Sequence, residues 1–207
     1  MPAFLHSGLL GRNVGRASLR GRKQKDKGKG AMDVMAAIKG RRSVRKFTGQ
    51  PVGKEALLKL LDAAVWAPSG GNAQTWRFVV VTDPERMRRL RMVSPGLLGR
   101  PPAAIVIAQD LALAERKGGK MGKESLAKMD SAMAAQNILL AAYEMGLGTC
   151  VVASFHPGAV GRILKLPDHI LPQLIVSVGH PAANPPPPPR KFEELIWWET
   201  YGGQDCS

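Results

Sequence analysis

The sequence predicts an α+β fold, a sandwich of helices on a central sheet. Three observations carry this. Segments with strand and helix character are mixed, without a strict β-α-β repeat. Four short β-branched runs, at 76–82, 103–108, 149–154 and 173–178, read as strands. A long segment at 125–145 carries Ala127, Ala134, Ala135, Ile138, Leu139, Ala142 and Tyr143 and is apolar nearly all round, so it predicts a central buried helix.

The other elements follow in order. Residues 33–39 predict a short helix with Val34, Met35 and Ile38 on one face and Gly40 at its end. Over 54–66, Leu57, Leu60, Leu61, Ala64 and Val65 recur at helical spacing until Pro68 stops the helix. Asp83-Pro84-Glu85 is a helix start: a capping residue, a proline at the first position, then an acid. The basic helix that follows reaches Met92. Residues 110–124 are polar and contain glycine, which predicts a loop. A helix is expected over 157–164. Pro185 to Pro189 must be extended polyproline, and 192–198 forms a last amphipathic segment.

The chain has 207 residues, enough for one domain with a sizeable core. Its 44% apolar content is ordinary, and its apolar runs fall well short of the ~20 residues a membrane helix needs. Cys150 and Cys206 form no disulfide framework and no metal spacing, so a reducing, cytoplasmic setting is expected, with Cys150 a small core residue. The net charge is +14. Half of it lies in the first 32 residues, where eight Lys or Arg face one Asp. Residues 1–31 are Gly-rich and basic and read as a disordered extension, leaving 32–207 as the folded domain. Nonspecific polyanion binding and targeting are the other readings of that extension, and Met32 or Met35 would serve as a start.

Two stretches carry the chemistry. Arg41-Arg42-Ser43-Val44-Arg45-Lys46-Phe47 packs guanidinium groups beside a hydroxyl, which suits a phosphate. Ser69-Gly70-Gly71-Asn72-Ala73-Gln74 follows a helix stop and precedes a strand. Asn and Gln carry donors and acceptors that suit the edge of a flat heterocycle, and glycines let backbone approach a ring. Together they suggest a phosphorylated, ring-bearing cofactor.

The segments RRSVRKF and PSGGNAQTWRF, in that order, resemble the nitroreductase family of flavin mononucleotide (FMN) enzymes. Two later stretches add to the resemblance: AAQNILLAAYEMGLGT at 134–149, and a Gly-His-Pro and proline-rich segment leading to RKFEELIWWE. It spans about residues 32 to 201. It implies a central antiparallel or mixed sheet and a homodimer with flavin at the interface. It also implies hydride transfer from NADH or NADPH through FMN to an electron-poor small molecule such as a nitroaromatic or quinone. The segment with Arg41, Arg42, Ser43 and Arg45 is implied to bind the FMN phosphate and the pyrimidine side of the flavin: by position, Arg41 and Ser43 face phosphate or ribityl oxygens, and Arg45 lies near N1 and O2 of the ring as its electrostatic tuner. Ser69, Gly70, Asn72 and Gln74 close over the flavin from the partner subunit. Ala153 and Ser154, at the end of the third strand, offer backbone contacts, since Ala153 replaces a Glu found in some members. Arg190 reaches the phosphate.

No Gly-x-Gly-x-x-Gly opens a helix after a strand, so a Rossmann site is not expected. The four histidines have no metal spacing, no metal is expected, and no residue stands out as a catalytic acid or base. That absence fits a cofactor that does the bond making. The high charge leaves a basic nucleic-acid or polyanion-binding protein without enzymatic activity as the alternative, although the core shows no nucleic-acid motif.

Overall fold

A computed structural model describes residues 32–203. The expectations for residues 1–31 lie outside the described residues. The sheet has four strands in the order β1-β2-β4-β3, every neighbour antiparallel. They are β1 (Trp76–Val81), β2 (Ala103–Asp110), β3 (Gly148–Val152) and β4 (Ile170–Gly179). Helix α1 (Val34–Gly40) precedes α2 (Lys54–Val65), α3 (Pro84–Met92) joins β1 to β2, and α4 (Leu111–Met121) leads to α5 (Ala127–Glu144). Helix α6 (Pro157–Leu164) connects β3 to β4.

Strand β2 explains why an unbroken apolar run appears in an antiparallel sheet. It is central, and both of its faces are covered. Ile105 and Ile107 point into one core with Leu57 and Leu60 of α2 and Ala134 and Ile138 of α5. Ala104 and Val106 point into a second core with Met87 and Leu90 of α3 and Val160 of α6. Residues 103–108 are all fully buried. Alternation would appear only if one face met water. The molecule is therefore three layers deep, with α2 and α5 on one face and α3 and α6 on the other.

Local chemistry sets the helix ends. Asp83 Oδ1 accepts from Arg86 N–H at 2.9 Å, and Pro84 fills the first position of α3. Asn137 of α5 donates to the Ala63 carbonyl at 2.9 Å and ties the central helix to α2. Trp76 is a core residue, 6% exposed. Cys150 is likewise buried.

Four expectations are corrected. Residues 110–124 do not form a loop: α4 occupies Leu111–Met121, and a π-helical turn over Gly122–Leu126 joins it to α5. Asp110 Oδ1 caps α4 by accepting from Leu113 N–H at 2.9 Å. The glycines that argued for a loop act inside the helical stretch, where Gly119, at φ 57°, makes a kink. Strand β4 starts at Ile170, before Pro172: Ile107 faces Leu174 and Ala108 faces Pro172, so Gln173 is the extra residue of a bulge beside the proline, a place where proline is tolerated in a sheet. Strand β3 stops at Val152, so Ala153 and Ser154 follow the strand instead of ending it. After the polyproline stretch only a short 3-10 turn, Glu193–Leu195, is regular. No described helix is long and apolar enough to cross a membrane.

Candidate functional site

The basic segment is held in extended form along the open side of β3. Ser43 bridges Thr149 in parallel register, and Val44 N–H donates to the Thr149 carbonyl at 2.8 Å. Val44 turns inward and fills the space above Gly148, where a Cβ would collide with it. Farther on, Phe47 bridges Pro181, Thr48 N–H donates to the His180 carbonyl at 3.0 Å, and Ala182 N–H to the Lys46 carbonyl at 2.9 Å. Extended backbone alternates its side chains. With Val44 inside, Ser43 and Arg45 are left outside.

Arg42 takes a different part. Its Nη1 donates to the carbonyls of Lys39, Gly40 and Arg41 at 2.7, 2.9 and 2.8 Å. These are free carbonyls at the C-terminal end of α1, which carry partial negative charge, so the guanidinium closes the helix. The first helix thus ends in a cation-capped turn that delivers Arg41 to the site.

Arg41, Arg42, Ser43, Arg45 and Arg190 line one cleft of about 240 Å³, walled by Pro185, Pro186 and Pro188. Four guanidinium groups meet there with no carboxylate among the lining residues. Arg41 Nε is buried and has no hydrogen-bond partner among the described residues. A buried donor without an acceptor is costly, and an anion seated in the cleft would satisfy it. A second cavity of about 320 Å³ adjoins, lined by Arg41, Val44, Tyr143, Thr149 and Asn184 among others. Tyr143 and Asn184 carry no signal in the sequence that would have found them.

The proline run places Arg190. Polyproline is extended and has few conformations to lose, so it fixes where the chain next turns. Arg190 reaches the cleft, while Lys191 pairs with Glu194 at 2.9 Å and does not line it.

The loop between α3 and β2, which carried no signal in the sequence, touches both Ser154 and Arg45. Gly96 lies against the Ser154 side chain, and its N–H points to the Ser154 carbonyl at 3.4 Å. Gly99, at φ 72°, lies against the Arg45 carbonyl. Ala153 and Ser154 are exposed. His156, beyond them, caps α6 by accepting Ala159 N–H at Nδ1, 3.2 Å. Among the described residues, no group of three His, Cys, Asp or Glu could hold a metal.

Ser69, Gly70, Asn72 and Gln74 stand apart from the basic cleft in this chain. Their turn packs against α4 and α5. Gln74 N–H donates to Ser69 Oγ at 3.1 Å, and Gln74 Nε2 donates to Asn72 Oδ1 at 2.7 Å. Gly71, Asn72 and Gln74 all have φ near 50–57°. For the two non-glycine residues that is a strained conformation, of a kind that concentrates at functional sites. Gly70 touches the Leu126 side chain where a Cβ would stand.

Comparison with known proteins decides the family. The Nitroreductase family model matches residues 38–96 and 91–180. The chain belongs to the nitroreductase family. A protein of Methanothermobacter thermautotrophicus, provisionally named NADH dehydrogenase/NAD(P)H nitroreductase, is 35% identical over 161 residues, covering 74% of this chain and 80% of its own length. The FMN reductase (NADPH) of Bacillus subtilis strain 168 is 32% identical over 169 residues, covering 72% of this chain and 66% of the relative. Among solved structures, a nitroreductase of Bacillus subtilis superposes with a TM-score of 0.73 at 30% identity, covering 82% of this chain and 75% of that one. The α-β-α layering described above is the nitroreductase fold.

Proposed function

We propose that this nitroreductase-family chain is an FMN-dependent oxidoreductase that takes hydride from NADH or NADPH and passes it to an electron-poor acceptor. One observation carries the reading. Arg41, Ser43, Arg45 and Arg190, from opposite ends of the chain, converge on a carboxylate-free cleft with an unsatisfied Arg41 Nε. That donor set fits a terminal phosphate with a polar chain beside it.

FMN, when bound, supplies hydride acceptance and delivery. The protein binds and orients. Arg41 and Arg190 hold the phosphate, and Ser43 takes a ribityl hydroxyl. Arg42 contributes positive charge while closing α1. Arg45 sets a cation beside the pyrimidine edge, where negative charge grows on reduction. Backbone groups of Ala153 and Ser154 offer hydrogen bonds to the ring edge. No acid or base of the chain is required beyond these. Donor and acceptor occupy one face in turn, a ping-pong order, and a nitroaromatic or quinone is the acceptor class.

The site is completed by a second copy. The turn carrying Ser69, Gly70, Asn72 and Gln74 does not line its own chain's cleft, and in our reading it covers the partner's flavin. Exposed apolar residues support a homodimer: Val34 and Met35 on α1, Trp66 after α2 at 79% exposure, Met129 on α5, and Phe192 and Trp198 near the end. A second copy seated on these side chains would remove their apolar area from water.

The test is the cofactor itself. The purified protein should be yellow, and heat should release FMN, identified by chromatography. Release of FAD, or no flavin uptake from excess FMN, would overturn the reading.

A further inference from the structure

We propose that Asp130 is a positioning residue for the flavin turn, anchoring Gly70 so that Asn72 and Gln74 are presented to the partner's cofactor, with Lys117 as a second anchor. The proposal rests on the flavin reading above.

Asp130 stands near the start of α5 and is 2% exposed. Its surroundings are Gly70, Thr75, Ala114, Gly118 and Leu126, all uncharged. Its one side-chain hydrogen bond among the described residues is from Gly70 N–H, at 3.2 Å to Oδ1. Among the described residues, no cation pairs with it. Burial pushes the carboxyl up from the usual carboxylate range, opposed by the Gly70 N–H. A carboxylate placed in this way costs folding stability. Asn could accept the same N–H without that cost. A carboxyl kept where it weakens the fold calls for a functional reason.

The turn supplies that reason. Gly71, Asn72 and Gln74 all sit at positive φ, and a turn so strained keeps its shape only if its ends are held. Asp130 holds the start through Gly70 N–H. Lys117 Nζ, from α4, holds the far side by donating to the Ala73 carbonyl at 3.1 Å. A charge-assisted hydrogen bond is about twice as strong as a neutral one. Asn72, between the two anchors, and Gln74, just past the second, are exposed, as a turn serving another subunit requires.

The other charged groups of α4, the π-helical turn and the start of α5 are exposed or half-exposed: Glu115, Arg116, Lys117, Lys120, Lys123, Glu124 and Lys128; the Arg77–Asp110 pair lies beside Thr75, with Asp110 15% exposed. Asp130 is the buried carboxyl of the set. A carboxyl whose folded pKa lies above its unfolded value stabilises the fold when protonated. That stability is lost as pH rises through the folded pKa.

Two opposite shifts follow for Asp130→Asn. Thermal stability should rise at neutral pH, and the gain should vanish in acid. FMN affinity should fall about tenfold at neutral pH as the bond to Gly70 becomes neutral. The ratio of variant to wild-type Kd cancels titration of the FMN phosphate, and it should drop toward one as pH falls through the raised pKa. Lys117→Met should weaken FMN binding with melting temperature unchanged. The experiment measures FMN Kd by flavin fluorescence, and melting temperature, from pH 4 to 8. If Asp130→Asn loses stability and affinity together, or its affinity matches wild type, the positioning role is overturned. If wild-type protein takes up no FMN, the flavin reading itself fails, and this role with it.

Discussion

Gly99 lies against the carbonyl oxygen of Arg45 with no room between them for a Cβ. The loop after α3 thereby braces the segment that carries the site's cations. Any side chain here must displace Arg45 or abandon φ 72°, which only glycine adopts freely. Gly99→Ala should destabilise the protein by about 1–3 kcal/mol and weaken FMN binding with it. Gly49→Ala is the control: its φ is also positive, at 85°, but nothing lies within 4 Å. It should lose stability without a specific loss of flavin. Thermal melts and flavin content of the two variants separate strain from contact.

Arg41 and Arg45 should differ in what they support. Arg41 meets phosphate whatever the redox state, so Arg41→Ala should weaken FMN binding by about 1.5–3 kcal/mol and leave the midpoint potential alone. Arg45→Ala should keep most of its flavin and lower the midpoint potential, since charge growing at the ring edge loses its counter-ion. For a two-electron couple ~1.4 kcal/mol corresponds to about 30 mV. Titration of FMN and spectroelectrochemistry on both variants measure the division. An unchanged potential in fully loaded Arg45→Ala would remove the role given to it.

Arg42 should behave as a structural cation. Its guanidinium closes α1 through three carbonyls. Arg42→Lys keeps the charge but cannot reproduce that contact, and it should lower the melting temperature more than it lowers FMN affinity. Equal losses would place Arg42 on the phosphate.

Light scattering should find a homodimer. Trp66→Glu, at an exposed apolar position beyond α2, should shift it toward monomer and release flavin in parallel. A stable monomer that retains FMN would count against a shared site.

Residues 1–31 should be dispensable for flavin binding, because their sequence lacks apolar periodicity. A chain starting at Met32 should keep its flavin content and its melting temperature, and a large drop in either would show that the extension contributes to the fold.

The sequence by itself determined the layers and the residue types of the site. Helical period in α2, the Asp83-Pro84 start of α3 and β-branched runs in the strands are local signals, and local backbone energetics decide them. The cluster at Arg41 to Lys46 was legible because four charges in so short a stretch need a partner. What only the tertiary structure decided depends on contacts between distant residues. Gly118 and Gly119 read as breakers, yet α4 continues because Asp110 caps it and Ala114 finds a buried place. The strand run read as 173–178 extends back to Ile170 through Pro172, with a bulge at Gln173 beside the proline. Asp130 carried no signal in the sequence, and its place under Gly70 followed only once α4 and α5 had packed around the turn. Periodicity specifies which face of an element is buried. It does not specify which element will stand opposite, and both the anchors of the turn and the glycine brace beneath Arg45 are of that second kind.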